Sequence, residues 1–190
     1  MKTHKRKIDG TKRTSSAILR DMPKLGVLYE KCMANSDRLV EAAKILEQSG
    51  FYPQAFFLAV TALEEIGKAQ VVADYSEDCV SREEFDKAFH SHSLKNAYLE
   101  RKVVITPDRN QGKITDSTIL YDMKRGKELA EWREHALYVS VTSGFVGWSP
   151  QTQISDKQCR NAIEEAEGYA AYLRQMEQAT GRIGIKSLTK

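Results

Sequence analysis

Apolar residues recur along most of the chain at steps of three and four positions, which is the spacing of one face of an α-helix. The clearest run lies in residues 24–48, where Leu25, Leu28, Cys32 and Leu39 belong to one narrow seam. Such a seam is typical of helices that pack in a bundle. Sustained alternation of apolar and polar residues, which would indicate strands, is lacking. The pattern therefore predicts an all-α fold, an antiparallel bundle of five main helices.

Helix-capping and helix-breaking residues divide this pattern into segments. Gly50 suits the position after the first helix, and Pro53 suits the first turn of the second. A capping box of Ser81 and Glu84 starts the third helix. The predicted helices cover about residues 24–48, 53–75, 81–101, 116–139 and 155–180, with loops at 101–115 and 140–153. We expect one domain over residues 21–180, a basic arm over 1–20 and a tail over 181–190.

Composition indicates a soluble globular protein, since 41% of residues are hydrophobic and 29% are charged. No apolar run approaches the roughly 18–20 residues that a membrane span needs. The N-terminal segment has no apolar core behind its basic residues, so it does not resemble a secretory signal. The three cysteines form no C-x-x-C pair, which argues against a zinc site or a disulfide framework. We therefore expect a cytoplasmic protein without a metal or cofactor.

The N-terminus concentrates positive charge. Residues 1–13 carry six Lys or Arg against one Asp, and the rest of the chain has a net charge of −2. A basic arm on a nearly neutral body can contact the phosphates of RNA or DNA. The competing interpretation is a disordered arm that binds nothing.

The second predicted helix, "PQAFFLAVTALEEIGKAQVVADY", is apolar on nearly all sides and so should be central in the bundle. It nevertheless contains Glu64, Glu65 and Lys68. A Glu and a Lys four positions apart often form an exposed pair worth only about 0.2–0.5 kcal/mol. The apolar surroundings favour the other interpretation, in which these charges point inward and must find partners, because unpaired buried charges are costly.

Two further helices place charges on their inward faces when about 100° is allotted to each residue. His92 falls in the middle of the apolar stripe of the third helix, and Lys95 borders it. Arg133 lies between two apolar arcs of the fourth helix, and needs a carboxylate or a bound anion as partner. Glu134 borders one arc, while His90 and His135 should point outward. Asn35, on the seam of the first helix, is a candidate member of the same site.

Three segments also carry a family resemblance: "NSDRLVEAAKILEQSGFYPQAFFLAVTALEEIGKA", "HSHSLK" and "WREHALYV". In this order, over about residues 30–140, they resemble AbiV-type abortive infection proteins, a branch of the HEPN superfamily. The resemblance implies a helical bundle, usually dimeric, that acts inside bacteria in defence against phage. Many HEPN proteins are metal-independent ribonucleases, and others bind RNA or nucleotides. The matching positions are Glu64, Glu65, Lys68, His92, Lys95, Arg133, Glu134 and Tyr138.

The sequence departs from the superfamily at its ribonuclease signature, an arginine followed by a histidine with four to six residues between them. Arg82 and His90 have seven residues between them, and Arg133 and His135 have one. The usual catalytic pair cannot be carried over. Ser140 also stands where the family usually has aspartate.

The inward residues support two hypotheses. In the first, the protein cleaves or binds RNA and stops translation in infected cells. Catalysis would need a base, which His92 or Glu65 could provide, and cations for the phosphate, which Lys68, Lys95 and Arg133 could provide. Glu64, Glu134, Asn35 and Tyr138 would then contact the ligand.

In the second hypothesis, the charges form a structural ion-pair network. The protein is then a non-catalytic module that binds a protein or nucleotide ligand, and a phage-encoded or host protein could be its trigger. A basic surface from Lys102, Arg109, Lys113 and Lys124 would favour RNA, and a closed, fully paired site would favour the non-catalytic module.

Overall fold

The structure is a computed structural model that describes residues 2–7, 22–77, 79–99, 102–107, 114–138, 140–141 and 147–180. Helices dominate this part of the chain, and the predicted helical bundle is confirmed. Its helices are α1 (Met22–Gln48), α2 (Tyr52–Ser76), α3 (Arg82–His90), α4 (His92–Leu99), α5 (Met123–His135), α6 (Pro150–Gln153) and α7 (Asp156–Thr180).

Helices α1, α2 and α7 form the framework of the bundle. A short turn joins α1 to α2, and Gly50 has a φ of 79° there, in the left-handed region that suits glycine. Helix α7 runs antiparallel to α1, as shown by the ion pairs Arg160–Glu47 at 3.1 Å and Arg174–Asp37 at 2.5 Å. Helix α2 lies in the centre, with 16 of its 25 residues buried. The prediction that the second helix is central is therefore confirmed.

The third predicted helix is divided in two. Ser81 and Glu84 form the expected capping box at the start of α3. Ser91, however, has an extended backbone, with a ψ of 115°, and ends α3. Its hydroxyl oxygen accepts a hydrogen bond from the Leu94 backbone N–H at 3.3 Å and so caps the new helix α4. As a result, His92 begins a helix instead of lying in the middle of one.

A small sheet replaces part of the predicted loop and the predicted start of the fourth helix. Strands β1 (Lys2–Lys7), β2 (Lys102–Pro107) and β3 (Ile114–Tyr121) form an antiparallel sheet in the order β1-β3-β2. The predicted loop is wrong over residues 102–107 and 114–115, and the predicted helix start at 116 is wrong. Residues 101 and 108–113 of that loop lie outside the described residues. Both strand segments are rich in Val, Ile and Thr, whose branched side chains favour strands.

The remaining boundaries follow from this sheet. Asp122 caps α5, because its carboxylate accepts hydrogen bonds from the backbone N–H groups of Lys124 and Arg125. Helix α5 ends at His135, not at 139, and is followed by the short pair β4 (Ser140–Val141) and β5 (Gly147–Trp148). The first part of the predicted basic arm is strand β1. Residues 8–20 of that arm and the tail over 181–190 lie outside the described residues.

Two glycines bring α4 against its neighbours. A Cβ atom at Gly67 in α2 would lie 2.1 Å from the Lys95 carbonyl oxygen, and one at Gly126 in α5 would lie 2.2 Å from the Ser93 carbonyl oxygen. Real side chains do not tolerate such distances, so both contacts require glycine. Helix α4 is therefore held between the backbones of α2 and α5, and this fixes the position of His92.

Candidate functional site

Glu64 is the central residue of the site. It lies on α2 and is only 3% exposed. Its Oε2 atom is 2.6 Å from His92 Nδ1 on α4, and its Oε1 atom is 3.5 Å from Arg133 Nε on α5. One buried carboxylate thus joins three helices. The expectation from the sequence that Arg133 needs a carboxylate or a bound anion as partner is met by a carboxylate, that of Glu64.

His92 lies at the edge of the site, because 46% of its side chain is exposed. The sequence analysis placed it in the middle of a buried stripe, and this is wrong because α4 begins at His92. An ionised carboxylate only accepts hydrogen bonds, so Nδ1 carries the proton that is donated to Glu64. In the neutral ring, Nε2 then keeps a free lone pair. The arrangement is a carboxylate-oriented histidine that can act as a base toward a group bound from outside.

Arg133 holds the other oxygen of the Glu64 carboxylate. Its side chain is 17% exposed, and its guanidinium carbon lies 5.7 Å from the centre of the Phe57 ring. The aromatic face attracts the cation and covers it on one side. Arg133 therefore contacts two residues of α2, and its contact with Glu64 is an ion pair in which Nε and Oε1 form no hydrogen bond.

Lys95 is buried at 5% exposure, and within the described part of the chain its ammonium group makes no ion pair. Burial lowers the pKa of Lys95, and the nearby positive charge of Lys68 lowers it further, against the opposing effect of Glu64 and Glu65. Glu64 is already bound to His92 and Arg133, and Glu65 is bound to Lys68. Lys95 is thus a cation without a matching carboxylate of its own.

Glu65 and Lys68 form an ion pair with each other on a different side of α2. They line an open groove of about 820 Å³ between α1 and α2, together with Asn35 and Cys32 of α1 and with Phe89 at the end of α3. Successive residues of a helix point about 100° apart, so Glu64 and Glu65 cannot face the same space. The predicted single cluster is therefore two adjoining sites. Lys95 interacts electrostatically with the charged residues of both.

Several sequence-based assignments differ from the structure. Glu134 is exposed and Tyr138 is 65% exposed, so neither faces the cluster around Glu64. The assignment of Glu134 relied on helical phase near the end of α5, and that of Tyr138 relied on the family resemblance. His90 is exposed as expected, but His135 is half-buried and its ring contacts the Trp132 ring edge-on at 6.2 Å between centroids. The prediction that His135 points outward is wrong.

Sequence reasoning did not find three residues that build the site: Phe57, Gly67 and Gly126. Phe57 was counted only as an apolar position. Gly67 stands inside the motif "EEIGK", and a glycine in the middle of a helix is a signal of close packing because it weakens the helix on its own. Gly126 carries the same signal in α5.

Within the described residues, no group of three His, Cys, Asp or Glu side chains could hold a metal ion. In the same part of the chain, no helix is long and apolar enough to cross a membrane.

The helical bundle and the three site motifs can now be compared with known proteins. The family model HEPN_AbiV, described as AbiV, matches residues 24–170. The chain belongs to the AbiV family. The match includes α2, α4 and α5 and therefore every residue of the site around Glu64. Membership in this abortive infection family gives the chain a role in defence against phage. No curated protein and no solved structure matches the chain.

Proposed function

We propose that this AbiV-family protein arrests phage infection by cleaving RNA without a metal ion, with His92 as the general base. The observation that supports this most directly is the 2.6 Å contact between His92 Nδ1 and the buried Glu64 carboxylate, in a histidine whose side chain is 46% exposed. A histidine kept only for packing has no need of an oriented ring with its second nitrogen free. The usual superfamily signature is absent, so a different histidine takes its place.

The proposed reaction uses the 2′-hydroxyl of RNA as nucleophile. His92 Nε2 takes the proton of this hydroxyl, and the 2′-oxygen attacks the adjacent phosphorus. The bond from phosphorus to the 5′-oxygen breaks, and the leaving oxygen takes a proton from water. The products are a 2′,3′-cyclic phosphate and a free 5′-hydroxyl. Glu64 is a positioning residue in this scheme, because it acts only by orienting His92 and by stabilising the charged imidazole.

One observation favours the second candidate, a non-catalytic module. The pair of Glu64 and Arg133 is largely buried, and a buried ion pair can serve only to fix helix positions. Against this, the site is open at His92, and among the described residues Lys95 has no ion-pair partner, so these residues do not form the closed and fully paired network that the structural interpretation requires. Of the basic residues that the sequence analysis considered for an RNA-binding surface, Lys124 is exposed, and its Nζ atom lies 3.7 Å from Glu128 Oε1. Arg109 and Lys113 lie outside the described residues.

The test compares RNA from phage-infected cells that express the wild type, His92→Ala or His90→Ala. We expect discrete new 5′-hydroxyl ends with the wild type and with His90→Ala, and their loss with His92→Ala. His90 is a matched control because it is exposed, lies two residues away, and makes no contact with Glu64. With purified protein, removal of the base should reduce the cleavage rate about 10²–10⁴-fold.

Glu64→Gln distinguishes positioning from a merely structural role. A glutamine can still accept the hydrogen bond from His92 Nδ1 but carries no charge, so the acidic limb of the pH–rate profile, on which the rate rises as the base loses its proton, should move to lower pH and the maximal rate should fall. A change in stability alone would leave the pH profile of the cleavage rate in place. Unchanged cleavage in His92→Ala would contradict the proposal. If His92→Ala loses phage resistance but the wild type cleaves no RNA, the result favours the non-catalytic module.

A further inference from the structure

We propose that the groove between α1 and α2 is an anion subsite that holds a backbone phosphate of the RNA strand next to the cleaved bond. This inference rests on the proposed function for its ligand, and on the groove and Lys95 for its location. The groove is lined by Lys31, Asn35 and Arg38 from α1, Glu65 and Lys68 from α2, and Phe89 from α3.

The charges around the groove favour an anion. Lys68 is paired with Glu65. Within the described residues, Lys31 and Arg38 make no ion pair, and both are exposed at the rim of the groove. Glu30 also lines the groove and compensates one of these two charges. The lining therefore carries a net charge of about +1, and Lys95 raises this to about +2.

Lys95 supplies a second and independent observation. Its ammonium group is carried by a residue that is 95% buried, and it has no ion-pair partner in the described part of the chain. Its Nζ atom is not among the side-chain atoms that are fully enclosed without a hydrogen bond, so the ammonium group stays within reach of a ligand while most of the residue is buried. The charges of Glu65 and Lys68 act on Lys95, and the charges of Lys68 and Lys95 act on Cys32 in the groove wall. A phosphate in the groove would provide the missing negative charge.

The groove wall is also close in sequence to the proposed catalytic histidine. Phe89 in the groove wall precedes His92 by three residues, and Lys95 follows His92 by three residues, one turn along α4. A strand of RNA with one phosphate at His92 could therefore reach the groove with a neighbouring phosphate. The ring of Phe89 offers an apolar surface to the nucleotide between them.

The experiment measures RNA binding by the full chain carrying His92→Ala, which separates binding from cleavage. Fluorescence anisotropy with a labelled 12-nucleotide RNA is recorded at several salt concentrations for this protein and for further variants with Lys95→Met, Arg38→Gln or Lys157→Gln. Each phosphate contact to a single strand contributes about 0.7 to the slope of log affinity against log salt concentration. We expect Lys95→Met and Arg38→Gln each to weaken binding and to reduce the slope by about 0.7. Lys157→Gln, an exposed lysine of α7, should change neither.

Stability distinguishes a binding role of Lys95 from a packing role. If Lys95 serves ligand binding, Lys95→Met should keep or raise the melting temperature while it weakens RNA binding. A lowered melting temperature with an unchanged salt slope would overturn the proposal. Arg38→Gln, at the exposed rim, keeps the test valid if Lys95→Met does not fold, and an unchanged slope in this variant would also overturn it.

The outcomes for the groove and for catalysis remain separable. Cleavage by the wild type together with unchanged binding in the groove variants would refute the subsite and leave the catalytic proposal standing. Binding that depends on the groove, without any cleavage by the wild type, would refute His92 catalysis and leave the subsite standing. A competition arm uses a 5′-mononucleotide. If the mononucleotide binds in a groove-dependent way and the RNA does not, the subsite belongs to a free nucleotide and the proposal for RNA is overturned.

Discussion

Replacement of Arg133 by methionine is the sharpest test of the ion pair at the centre of the bundle. Methionine keeps an unbranched side chain and removes the positive charge, together with the contact between the guanidinium and the Phe57 ring. The Glu64 carboxylate would then retain His92 as a partner for Oε2 but lose its partner for Oε1. The change isolates the electrostatic part of the interaction, because most of the packing stays in place.

The expected loss can be worked out from the geometry. Opposite charges 3.5 Å apart attract by about 5 kcal/mol at an effective dielectric constant of about 20. Removing one partner of a buried pair costs about 3–5 kcal/mol in measured cases. Because His92 still donates to Glu64, we expect the lower end, a reduction of about 3 kcal/mol in the free energy of unfolding.

Urea denaturation of the purified protein measures this loss, and a double-mutant cycle assigns it. Glu64→Gln together with Arg133→Met removes both charges. The sum of the losses in the two single variants should therefore exceed the loss in the double variant by at least about 1.5 kcal/mol in free energy of unfolding. His90→Ala is the control and should stay within about 0.5 kcal/mol of the wild type. If Arg133→Met is also within this range, or if the two single losses simply add, the pair does not hold the helices together and the reasoning is refuted.

Four further predictions concern packing, thiol reactivity, stability at high pH and assembly. Gly67→Ala should cost about 3 kcal/mol or more, because its Cβ would meet the backbone of α4. Gly168→Ala, where the described part of the chain has no atom within 4 Å of the added Cβ, should stabilise α7 by about 0.5–1 kcal/mol, and equal effects of the two variants in thermal unfolding would contradict this. Cys79, which is half-buried, should react with thiol reagents before Cys32 and Cys159. Burial raises the pKa of these two thiols to about 11. The thiols of the unfolded chain therefore lose their protons at lower pH than those of the folded protein, and the free energy of unfolding should fall as pH rises from about 9 toward 11. In urea denaturation over that range, a variant with alanine at both positions should show a smaller fall in the free energy of unfolding. We also expect a homodimer, and light scattering that gives 21.5 kDa at micromolar concentration would refute it.

The local parts of the fold could be predicted from the sequence because local signals determine them. Helices α1, α2 and α7 have ends within about two residues of the predicted ones, and the capping box at Ser81 and the left-handed Gly50 are present as predicted. The strands could not be found by periodicity, since β3 pairs on one side with residues more than a hundred positions away. Their content of β-branched residues was the available signal for strands. Pro107 and Gly112 instead led to the prediction of a loop, because both residues are typical of loops.

The site was predicted in part for the same reason. Helical phase correctly turned Glu64 toward Arg133, because both lie within continuous helices. It failed at Glu134 and His135, near the end of α5. It also could not show that Glu64 and Glu65 face different sites, because the number and direction of neighbouring helices are properties of the assembled bundle. The break at Ser91 also lay beyond a periodicity argument, although a serine three residues before an apolar position was a visible capping signal.

The glycine contacts on both sides of α4 have a consequence for how the protein tolerates change. An interface between side chains can absorb an extra methyl group by small rotamer adjustments, but at Gly67 and Gly126 one backbone lies directly on another and no side chain is available to yield. The spacing of α2, α4 and α5 is therefore limited by these backbone contacts, whatever stability the charged residues between the helices add. For this reason the exposed polar residues at the mouth of the site should accept substitution while the scaffold keeps its dimensions. Drift or engineering could in this way alter the chemistry at the mouth of the site without rebuilding the bundle.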